Sequence, residues 1–592
     1  MTKGGAEAAA RHPVDPTESP RRTRKTVKRT HKNGEEERDV LDKKTLQVVP
    51  LGGLGEIGKN MTAVRQDSGI VLVDAGMAFP DEETPGIDLI LPDFTYLREH
   101  ADELKGIVIT HGHEDHVGAL PYILREFNVP VYGTKLTLGL VRSKLQEFGI
   151  KRGDLREIKA GDTQRLGGFG MEFVHVNHSI PDAVAIAIRT NAGLIVFSGD
   201  YKVDLTPIEG APMDLGHLAA LGKEGVLAFF GDSTNSERPG YVPSEKTVEA
   251  TFEEIFEKAT GRIIVASFAS HIHRVTQVVE AAKKHNRLVG VLGRSMVRNV
   301  GIARELGYLD LPQEMLVEQR DMGRIPDGDI AVLMTGSQGE PLAALSRVAA
   351  GTHRSIEVGE GDTVVIAAHP IPGNERGVAR TIDNLMKQGA EVHYSPLESV
   401  HVSGHGAQEE QKLVLALLKP RFLVPVHGEF RMLRHHANTA MSMGIPEENI
   451  FILENGGRME FKDGKARRID NVAAGTFLVD AGAIADTSES IMRERQQLSG
   501  DGMFVVVARV SAQDGQPIGS PEVISRGFAD PQASNGLVDD SINTVTKTLE
   551  RTAKKRVTDA EELKKEIRKD LSAFLSQKAR KRPIILPMVV EI

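Results

Sequence analysis

One short stretch of the chain concentrates metal-binding side chains: Ile107-Val108-Ile109-Thr110-His111-Gly112-His113-Glu114-Asp115-His116-Val117-Gly118. Its β-branched start predicts a buried strand, and the two glycines predict a tight turn that leads into a helix. Three histidines and two carboxylates thus follow a strand end within six residues. Imidazole and carboxylate are ligands that zinc and manganese accept. One loop cannot fill two metal sites, so we expect the rest of the chain to supply further ligands.

Length and composition predict a multidomain cytoplasmic protein. The chain has 592 residues, which predicts three or four domains, and its 40% hydrophobic and 26% charged residues are typical of globular proteins. It has no cysteine, which fits a reducing cytoplasm and leaves His, Asp, Glu and main-chain atoms as metal ligands. No apolar run reaches bilayer length and no signal peptide is recognised, so we expect no membrane partner. The net charge of −9 disfavours a nucleic-acid coat protein but allows an enzyme whose site is locally positive.

Residues 1–44 are predicted to form a disordered basic tail, because they lack apolar periodicity and are rich in charge, Pro and Thr. The basic cluster from Arg21 to Arg29 would contact phosphates in one interpretation. In the other interpretation the tail is solvated and has no function, and the sequence leaves both open.

The segment after the tail contains a formal dinucleotide-binding pattern, G-x-G-x-x-G, at Gly53, Gly55 and Gly58. That fingerprint requires a helix next, whose N-terminus faces a pyrophosphate. Residues 61–64 and 70–73 are instead typical of two strands around a turn. We therefore reject a dinucleotide site at this position.

Further polar residues stand where predicted strands end. Asp74 ends one strand, where it either orients metal ligands or serves as an ordinary turn carboxylate. Period-two alternation places His175 and His178 on opposite faces of another strand, and His178, at the strand end, is the better site candidate. Asp200 and Asp232 end two further buried strands, and this repetition favours a site role for Asp200 more than for Asp232.

Residues 241–408 are predicted to form a separate α/β domain with parallel strands. Ser267 and Ser337 follow two of these strands, at the edge where ligands collect in parallel sheets. The segment 401–406 precedes a predicted helix and is typical of a phosphate-binding loop. A plain polar loop capped by Ser403 is the alternative.

The rest of the chain is predicted to return to strands and then to form a small module. Residues 409–480 contain short strands and hairpins, and His427 stands at a strand end. Residues 481–500 are predicted to be a linker, and 501–592 an α+β domain. Nothing in this last domain suggests catalysis, so we expect it to mediate dimerisation.

These residues carry a family resemblance. The loop from His111 to His116 resembles the H-x-H-x-D-H motif of metallo-β-lactamase-fold hydrolases. Four segments are similar to the ribonuclease J family, in the β-CASP branch of nucleic-acid processing enzymes: Gly52–Asn60, Thr335–Pro341, His401–His405 and Val426–Glu429. The resemblance spans about 45–592. It implies an α/β fold in which a metallo-β-lactamase αββα sandwich, 45–240 and 409–480, is interrupted by an α/β β-CASP domain and followed by a small C-terminal α+β domain.

The resemblance also implies two divalent metal ions per subunit, zinc or manganese, with magnesium as a third option. His111, His113 and His178 would hold one ion. Asp115, His116 and His427 would hold the other, and Asp200 would bridge them. The remaining implied roles are catalysis for Asp200, Asp232 and His405; phosphate or RNA contact for His401, Val402, Ser403, Gly404, His405, Ser337 and Ser267; orientation of the ligands for Asp74; and a structural calcium held by Gly86, Asp88 and Asp480.

The implied activity is a ribonuclease that combines 5′-to-3′ exonuclease activity, preferring 5′-monophosphorylated single-stranded RNA, with endonuclease activity, in mRNA decay and rRNA maturation. Its implied partners are single-stranded RNA, further copies of itself in a homodimer or tetramer, and other RNA-decay proteins. A DNA-directed β-CASP nuclease is one alternative, because metal ligands do not read the 2′-hydroxyl. A small-molecule hydrolase of the same fold is another, disfavoured by the long α/β insertion. A non-enzymatic scaffold is disfavoured because all seven ligand positions are present.

Overall fold

The computed structural model describes residues 41–81, 83–151, 153–338, 343–371, 374–485, 489–528 and 531–592. Most of the predicted tail, residues 1–40, lies outside the described residues, and so does the end of the Thr335–Pro341 segment. Within the described ranges, no helix is both long and apolar enough to cross a membrane.

The part of the chain up to Asp232 alternates short strands and helices. Its strands are rich in Val, Ile and Phe, which pack well on a pleated, buried surface. The strands are β1 (Thr45–Gly52), β2 (Met61–Gln66), β3 (Gly69–Val73), β4 (Leu89–Pro92), β5 (Leu104–Val108), β6 (Val131–Gly133), β7 (Leu155–Glu157), β8 (Thr163–Leu166), β9 (Phe169–His175), β10 (Val184–Thr190), β11 (Gly193–Phe197) and β12 (Val226–Asp232). The helices are α1 (Thr95–Glu99), α2 (Glu114–Val117), α3 (Leu120–Glu126), α4 (Lys135–Glu147) and α5 (Leu215–Glu224).

The middle part, which we call the inserted domain, forms its own α/β layer structure. Its strands are β13 (Ile263–Ala266), β14 (Leu288–Leu292), β15 (Leu316–Val317), β16 (Ile330–Met334), β17 (Thr363–Ile366) and β18 (Glu391–Tyr394). Its helices are α6 (Lys246–Lys258), α7 (Ile272–Lys284), α8 (Arg294–Leu306), α9 (Ala344–Ala349) and α10 (Glu375–Lys387). All pairings in the sheet order β15-β14-β16-β13-β17-β18 are parallel, and apolar clusters cover both faces, as parallel sheets require.

The chain then returns to the first part and ends in a small module. The returning elements are α11 (Gln408–Leu418), β19 (Phe422–Val426), α12 (Phe430–Ser442), β20 (Gly457–Lys462), β21 (Lys465–Asn471), β22 (Thr476–Asp480) and β23 (Ala483–Ile484). The module contains α13 (Glu489–Asp501), β24 (Met503–Val510), β25 (Glu522–Arg526), α14 (Pro531–Lys554), α15 (Ala560–Ala579) and β26 (Ile584–Glu591). Helix α13 begins within the predicted linker 481–500 and runs to Asp501.

Two mixed sheets pack face to face and form the sandwich. Their strand orders are β21-β20-β1-β2-β3-β5-β6-β7 and β19-β12-β11-β10-β9-β8. Side chains of both sheets, among them Val64, Phe173 and Phe230, share one buried cluster between them, and burial stabilises each such side chain by about 1.5–3 kcal/mol. Helices α1, α3 and α4 cover one outer face, and α5, α11 and α12 cover the other. The predicted αββα sandwich with an α/β insertion and a C-terminal α+β domain is confirmed.

Parallel strand pairs place the candidate site at one edge of the sandwich. Strands β3 and β5 are parallel neighbours in the first sheet, and β11, β12 and β19 are parallel neighbours in the second. Because the carboxyl ends of parallel strands lie together, the residues that follow them meet. Strand β19 comes after the inserted domain and pairs with β12, Val426 opposite Asp232, which returns His427 to the edge that the earlier strands share.

Candidate metal centre

Seven predicted residues converge into two neighbouring groups at this edge. His111, His113 and His178 form the first, called here the triple-histidine group. Asp115, His116, Asp200 and His427 form the second, called here the mixed group. Within each group the candidate ligand atoms lie within 4.8 Å of one another, so each group is compact enough for one ion.

The histidine loop begins as soon as β5 ends and is tied down by its backbone. The carbonyl of Asp115 accepts from the amide of Asn60 at 3.0 Å, and that of His116 accepts from Ala75 at 2.8 Å. Gly76 lies so close to this loop that an added Cβ would be 1.6 Å from the carbonyl oxygen of Asp115. The segment around Asn60, before β2, and the segment around Gly76, after β3, therefore hold the histidine loop in place. The strands β2 and β3 between them agree with our rejection of a dinucleotide site.

Asp74 holds one of these histidines. Its Oδ2 lies 2.8 Å from Nδ1 of His116, and its Oδ1 accepts from the amide of Thr110 at 2.8 Å. Asp74 also has a φ of +60°, a left-handed conformation that non-glycine residues seldom adopt and that clusters at functional sites. Of the two interpretations of Asp74, the contacts favour the orienting role over an ordinary turn.

Strand β9 ends at His175, so the prediction of a strand that runs to His178 is wrong, and the loop after the strand delivers His178. The ring of His175 turns away, and its Nε2 lies 2.9 Å from the carbonyl of Ala211. His178 has its Nδ1 2.8 Å from the carbonyl of Gly404 and its Nε2 3.1 Å from Nδ1 of His113. A proton on Nδ1 of His178 therefore leaves Nε2 as a lone-pair donor toward the centre. An added Cβ on Gly404 would be 2.7 Å from this ring, so the close approach requires glycine.

Asp200 lies between the two groups. Its Oδ2 is 3.2 Å from Nε2 of His116 and 3.3 Å from Nε2 of His427, in the mixed group. The same oxygen is 3.6 Å from Nε2 of His111 and 3.8 Å from Nε2 of His178, in the triple-histidine group. One carboxylate that faces both groups has the geometry expected of a bridging ligand.

The donor atoms fit divalent metal ions. Four ligands placed tetrahedrally at 2.0–2.1 Å from zinc lie about 3.3 Å from one another. The Nδ1 of His113 lies 3.2 Å from Nε2 of His111, and Nε2 of His427 lies 3.2 Å from Oδ2 of Asp115, which is close to that spacing. Ring nitrogens and a carboxylate oxygen thus converge at the spacing that the ligands of one bound cation would have.

The triple-histidine group is electrically neutral. Burial lowers the pKa of His113 to about 4 and lowers the pKa of His111 and His178 well below the ordinary value. Neutral imidazole is the form that binds metals. This group is therefore ready to accept a cation without first losing protons.

The mixed group balances its own charges. Burial opposes the charge on His116 and His427, but the carboxylates of Asp200 and Asp115 raise the pKa of His116 well above its ordinary value and that of His427 to about 9. Burial likewise opposes the charge on both carboxylates, but the imidazoles hold the pKa of Asp115 and Asp200 well below the usual range. Metal binding here would have to displace protons.

A second chain of contacts joins His427 to His405 through Asp232. The hydroxyl of Thr234 lies 2.7 Å from Nδ1 of His427 and donates to Oδ1 of Asp232 at 2.8 Å. The Oδ2 of Asp232 accepts from Nδ1 of His405 at 2.8 Å. Burial lowers the pKa of His405, but Asp232 raises it above the ordinary value overall. Asp232 therefore orients two imidazoles at once.

The predicted phosphate-binding loop, residues 401–406, contacts the metal centre through Gly404 and His405. Ser403 accepts from the side-chain amide of Asn235 at 2.8 Å, and that amide also donates to the carbonyl of His405 at 2.6 Å. Val402 is buried in the apolar cluster of the inserted domain. The ring of His401 lies 5.8 Å from that of His271, centroid to centroid, and its buried Nδ1 has no hydrogen-bond partner among the described residues.

Ser267 and Ser337 lie together at the edge of the inserted sheet. They follow the parallel neighbours β13 and β16, and the amide of Ser267 donates to the carbonyl of Met334 at 3.1 Å. Both residues are buried, and the hydroxyl of Ser267 has no hydrogen-bond partner in the described part of the chain.

The residues predicted to hold calcium gather around an arginine. Arg495 of α13 contacts Oδ2 of Asp480 and donates to the carbonyl of Gly86 at 3.2 Å. Asp88 accepts from the amide of Gly482 at 3.1 Å. The guanidinium thus supplies positive charge beside two of the three predicted calcium ligands.

Several residues that contact the metal ligands could not be identified from the sequence. Thr110 lies in the histidine stretch, and Thr234 and Asn235 follow the strand that ends at Asp232, but a hydroxyl or amide after a strand is too common to single out. The Gly404 carbonyl is a main-chain group and carries no sequence signal. The side-chain nitrogen of Asn60 lies 3.1 Å from Nε2 of His116. Asn60 belongs to the segment that contains the formal dinucleotide-binding pattern.

Comparison with known proteins agrees with this geometry. Residues 54–244 match the metallo-beta-lactamase superfamily, and residues 260–385 match the beta-CASP domain of ribonuclease J. Residues 389–453 match a Zn-dependent metallo-hydrolase RNA specificity domain, and residues 490–592 match the ribonuclease J C-terminal domain.

Relatives cover nearly the whole chain. It is 40% identical to ribonuclease J2 of Bacillus subtilis (strain 168) over 548 residues, 92% of this chain and 99% of the relative. It is 40% identical over 549 residues to ribonuclease J of Mycolicibacterium smegmatis, 92% of this chain and 97% of the relative. A crystal structure of a protein of unknown function from Enterococcus faecalis V583 shares the fold, with a TM-score of 0.50 and 16% identity over 70% of this chain and 99% of that one.

The fold, the His/Asp centre and these matches define a class: a metal-dependent hydrolase of the metallo-β-lactamase superfamily that carries a β-CASP domain and acts on RNA. Within that class, the identity to full-length relatives decides the family. The chain belongs to the ribonuclease J family and is a metal-dependent ribonuclease.

Proposed function

We propose that this chain is a two-metal ribonuclease that removes nucleotides from the 5′ end of single-stranded RNA, prefers a 5′-monophosphate, and also cuts internally. One observation carries the proposal: Oδ2 of Asp200 lies within 3.8 Å of ring nitrogens from both groups. Two divalent ions bound there, zinc, manganese or magnesium, would activate water and stabilise the attacking and leaving oxygens of a displacement at phosphorus.

His405 is the proposed proton donor. Asp232 accepts from its Nδ1, which leaves Nε2 to carry a proton toward the leaving 3′-oxygen. Burial lowers the pKa of His405, but Asp232 raises it above the ordinary value, which favours the protonated ring. Ser403 and Gly404, on the same loop, would contact the scissile phosphate.

The preference for a 5′-monophosphate is supported by buried polar atoms in the inserted domain. Nδ1 of His401 and the hydroxyl of Ser267 are buried and lack hydrogen-bond partners among the described residues, whereas Nε2 of the neighbouring His271 lies 3.6 Å from Glu245. A buried polar atom without a partner costs about 1–3 kcal/mol, which a bound phosphate oxygen would recover. Ser337 follows the strand next to that of Ser267 and is proposed to bind the same phosphate.

The C-terminal module is proposed to mediate homodimerisation, with a tetramer as the alternative. The outward face of its sheet exposes Ile524, Leu586 and Met588, which pair with or flank Val505 and Val507 of β24. A partly exposed apolar sheet face of this kind is typical of an interface. Light scattering with and without residues 490–592 would give the subunit number in each case.

The proposed boundaries are 45–240 and 409–480 for the sandwich, 241–408 for the β-CASP domain and 501–592 for the C-terminal domain. The proposed setting is mRNA decay and rRNA maturation in the cytoplasm, because a chain without cysteine suits a reducing compartment.

One assay tests the proposal. The purified protein with Mn²⁺ or Mg²⁺ is given end-labelled single-stranded RNA with a 5′-monophosphate, the same RNA with a 5′-triphosphate, and the matching DNA. We expect mononucleotide release from the monophosphorylated RNA and internal cuts alone in the triphosphorylated RNA. Consumption of DNA at the same rate as RNA would favour a DNA-directed nuclease instead, and equal mononucleotide release from both RNAs would contradict the end preference.

A further inference from the structure

The loop that follows His178 is embedded in the inserted domain. Ile180, two residues after His178, is 1% exposed and belongs to the same apolar cluster as the helices α6, α7 and α8. Leu136 and Leu140 of α4 join that cluster from the sandwich side. The position of His178 therefore depends on how the inserted domain sits against the sandwich.

Tyr308 fixes the far end of this loop. Its hydroxyl donates to Oδ2 of Asp182 at 2.6 Å, and the amide of Leu136 donates to the same oxygen at 3.1 Å. Asp182 has a φ of +56°, a conformation that Asp tolerates better than most residues but that still needs support from its surroundings. Lys135 reinforces the contact, because its Nζ donates to the carbonyl of Leu306 at 2.8 Å and lies 5.9 Å from the centroid of the Tyr308 ring.

The other histidines of the centre do not share this dependence. The loop that carries His113 and His116 is held by main-chain bonds to residues 60 and 75–77, all within the sandwich. His178 is instead contacted by the carbonyl of Gly404, in the segment by which the chain leaves the inserted domain. The ring of His178 is thus supported by Gly404 from outside the sandwich. Its loop is supported jointly by Tyr308 of the inserted domain and by the amide of Leu136 on the sandwich side.

We propose that Tyr308 is a positioning residue for His178: by holding Asp182 it fixes the loop that presents this ligand, and so makes metal binding at the triple-histidine group depend on the seating of the inserted domain. The inference rests on the metal ligands assigned under the proposed function. It predicts that loss of one hydroxyl in the inserted domain weakens one of the two metal-binding steps and spares the other.

Tyr308→Phe tests this directly. The metal-free full-length protein is titrated with Co²⁺, and binding is followed by visible absorption and by calorimetry. We expect wild type to bind two ions and Tyr308→Phe to weaken one step about tenfold, at the lower end of the 10–100-fold typical of groups that orient metal ligands. Tyr122→Phe is the matched control, because its buried hydroxyl has no hydrogen-bond partner among the described residues.

Kinetics separate positioning from general loosening of the fold. A positioning role predicts a lower kcat at limiting Mn²⁺, an unchanged KM for RNA, and recovery at excess Mn²⁺. Asp182→Asn keeps an acceptor oxygen for Tyr308 and should stay close to wild type. Asp182→Ala also removes the acceptor of the Leu136 amide and strains the positive φ, so it should weaken the same binding step at least as much as Tyr308→Phe.

Each result bears on one claim. If Tyr308→Phe binds Co²⁺ as wild type does, or if its defect is a raised KM that Mn²⁺ does not relieve, the positioning role is wrong. If wild type itself binds fewer than two ions, the proposed two-metal centre is wrong, which is a distinguishable failure.

Discussion

His116 and His178 are both buried histidines whose Nε2 atoms point into the same centre, yet different parts of the molecule hold them. The Nδ1 of His116 faces the carboxylate of Asp74, inside the sandwich. The Nδ1 of His178 faces the main-chain carbonyl of Gly404, which follows the inserted domain. The partner of His116 is charged and belongs to the sandwich, as His116 does. The partner of His178 is neutral and belongs to the segment that leaves the inserted domain.

The difference shows how the sandwich and the inserted domain divide the support of one centre. A carboxylate partner raises the basicity of its histidine and fixes its ring without help from elsewhere. A carbonyl partner fixes the ring without adding a full charge. Burial lowers the pKa of His178 although the Gly404 carbonyl raises it, whereas Asp200, Asp115 and then Asp74 raise the pKa of His116 against its burial. The sandwich thus builds the mixed group alone, while the triple-histidine group is completed by the approach of the inserted domain.

Removing one ligand from each group is the most severe test of this division. His113→Ala and His427→Ala should each lower RNA hydrolysis by more than the 10–100-fold typical of groups behind the ligands, because each removes a donor atom itself. Cleavage of 5′-monophosphorylated RNA at saturating Mn²⁺ measures the loss. His175→Ala is the control, since the ring of His175 turns away to Ala211, and a comparable loss in that variant would contradict the assignment.

Changing the two orienting partners should have the next largest effect. Asp74→Asn removes the charge beside His116, and Gly404→Ala places a Cβ 2.7 Å from the ring of His178, so each should weaken metal binding 10–100-fold at its own group. Metal titration of the apo protein measures both. Gly301→Ala, in α8 with open space around the new Cβ, is the control for an added methyl group. Loss of both binding steps in both variants would show that the two groups are not separately supported.

Thr234→Val should have a smaller effect on the mixed group. It removes the hydroxyl that lies 2.7 Å from Nδ1 of His427 but leaves the ring in a packed position. A single hydrogen bond contributes about 0.5–1.5 kcal/mol, so we expect a loss of tenfold or less in kcat. Steady-state kinetics at fixed Mn²⁺ would measure it, with Thr251→Val on the exposed side of α6 as the control. A loss as large as that of His427→Ala would mean that Thr234 acts in the chemistry itself.

Of these variants, Glu245→Gln should change the RNase activity least. Its main effect should be a loss of folding stability that depends on pH. Glu245 is buried between Arg274, at 3.1 Å, and Lys202, at 3.3 Å, where the inserted domain begins. Burial opposes its charge, but Arg274, His271 and Lys202 hold its pKa well below the ordinary value of 4.5. Its charged form therefore stabilises the fold above about pH 4.5, and this contribution is lost as the pH falls further.

At neutral pH we expect this variant to lower the Tm by an amount on the order of 5 °C, because two cations stay buried without their partner. The difference from wild type should shrink on acidification below the ordinary pKa of Glu. Scanning calorimetry across pH would measure it. A difference that is constant with pH would show that the lost contact is one of packing rather than of charge.

The sequence predicted the ligands better than their supports. The alternation argument selects His178 over His175, and the structure brings His178 to the centre while His175 contacts Ala211, although strand β9 ends at His175 and the loop rather than the strand separates the two rings. Asp200 stood out because three buried strands end in a carboxylate. These signals work because the pattern of apolar residues along the chain shows where each buried strand ends. The carboxyl ends of parallel strands lie at one edge of a sheet, so the polar residues that follow them come together.

What could not be predicted depends on contacts between distant segments. The carbonyl of Gly404 and the hydroxyl of Tyr308 act across 226 and 126 positions, respectively. The predicted linker 481–500 contains α13, because polar helices that pack through few apolar residues resemble linkers in composition. Arg495 of that helix could not be placed beside Gly86 and Asp480 without the fold.

The position of His427 in the chain has a consequence for synthesis. More than three hundred residues separate it from the histidine loop, and strand β19, which delivers it, pairs only with a strand made long before. At translation rates of about 5–20 residues per second, a nascent chain spends tens of seconds with its first histidines made and the last ligand still missing. The metal centre that we propose therefore stays incomplete until 427 of the 592 residues have been made.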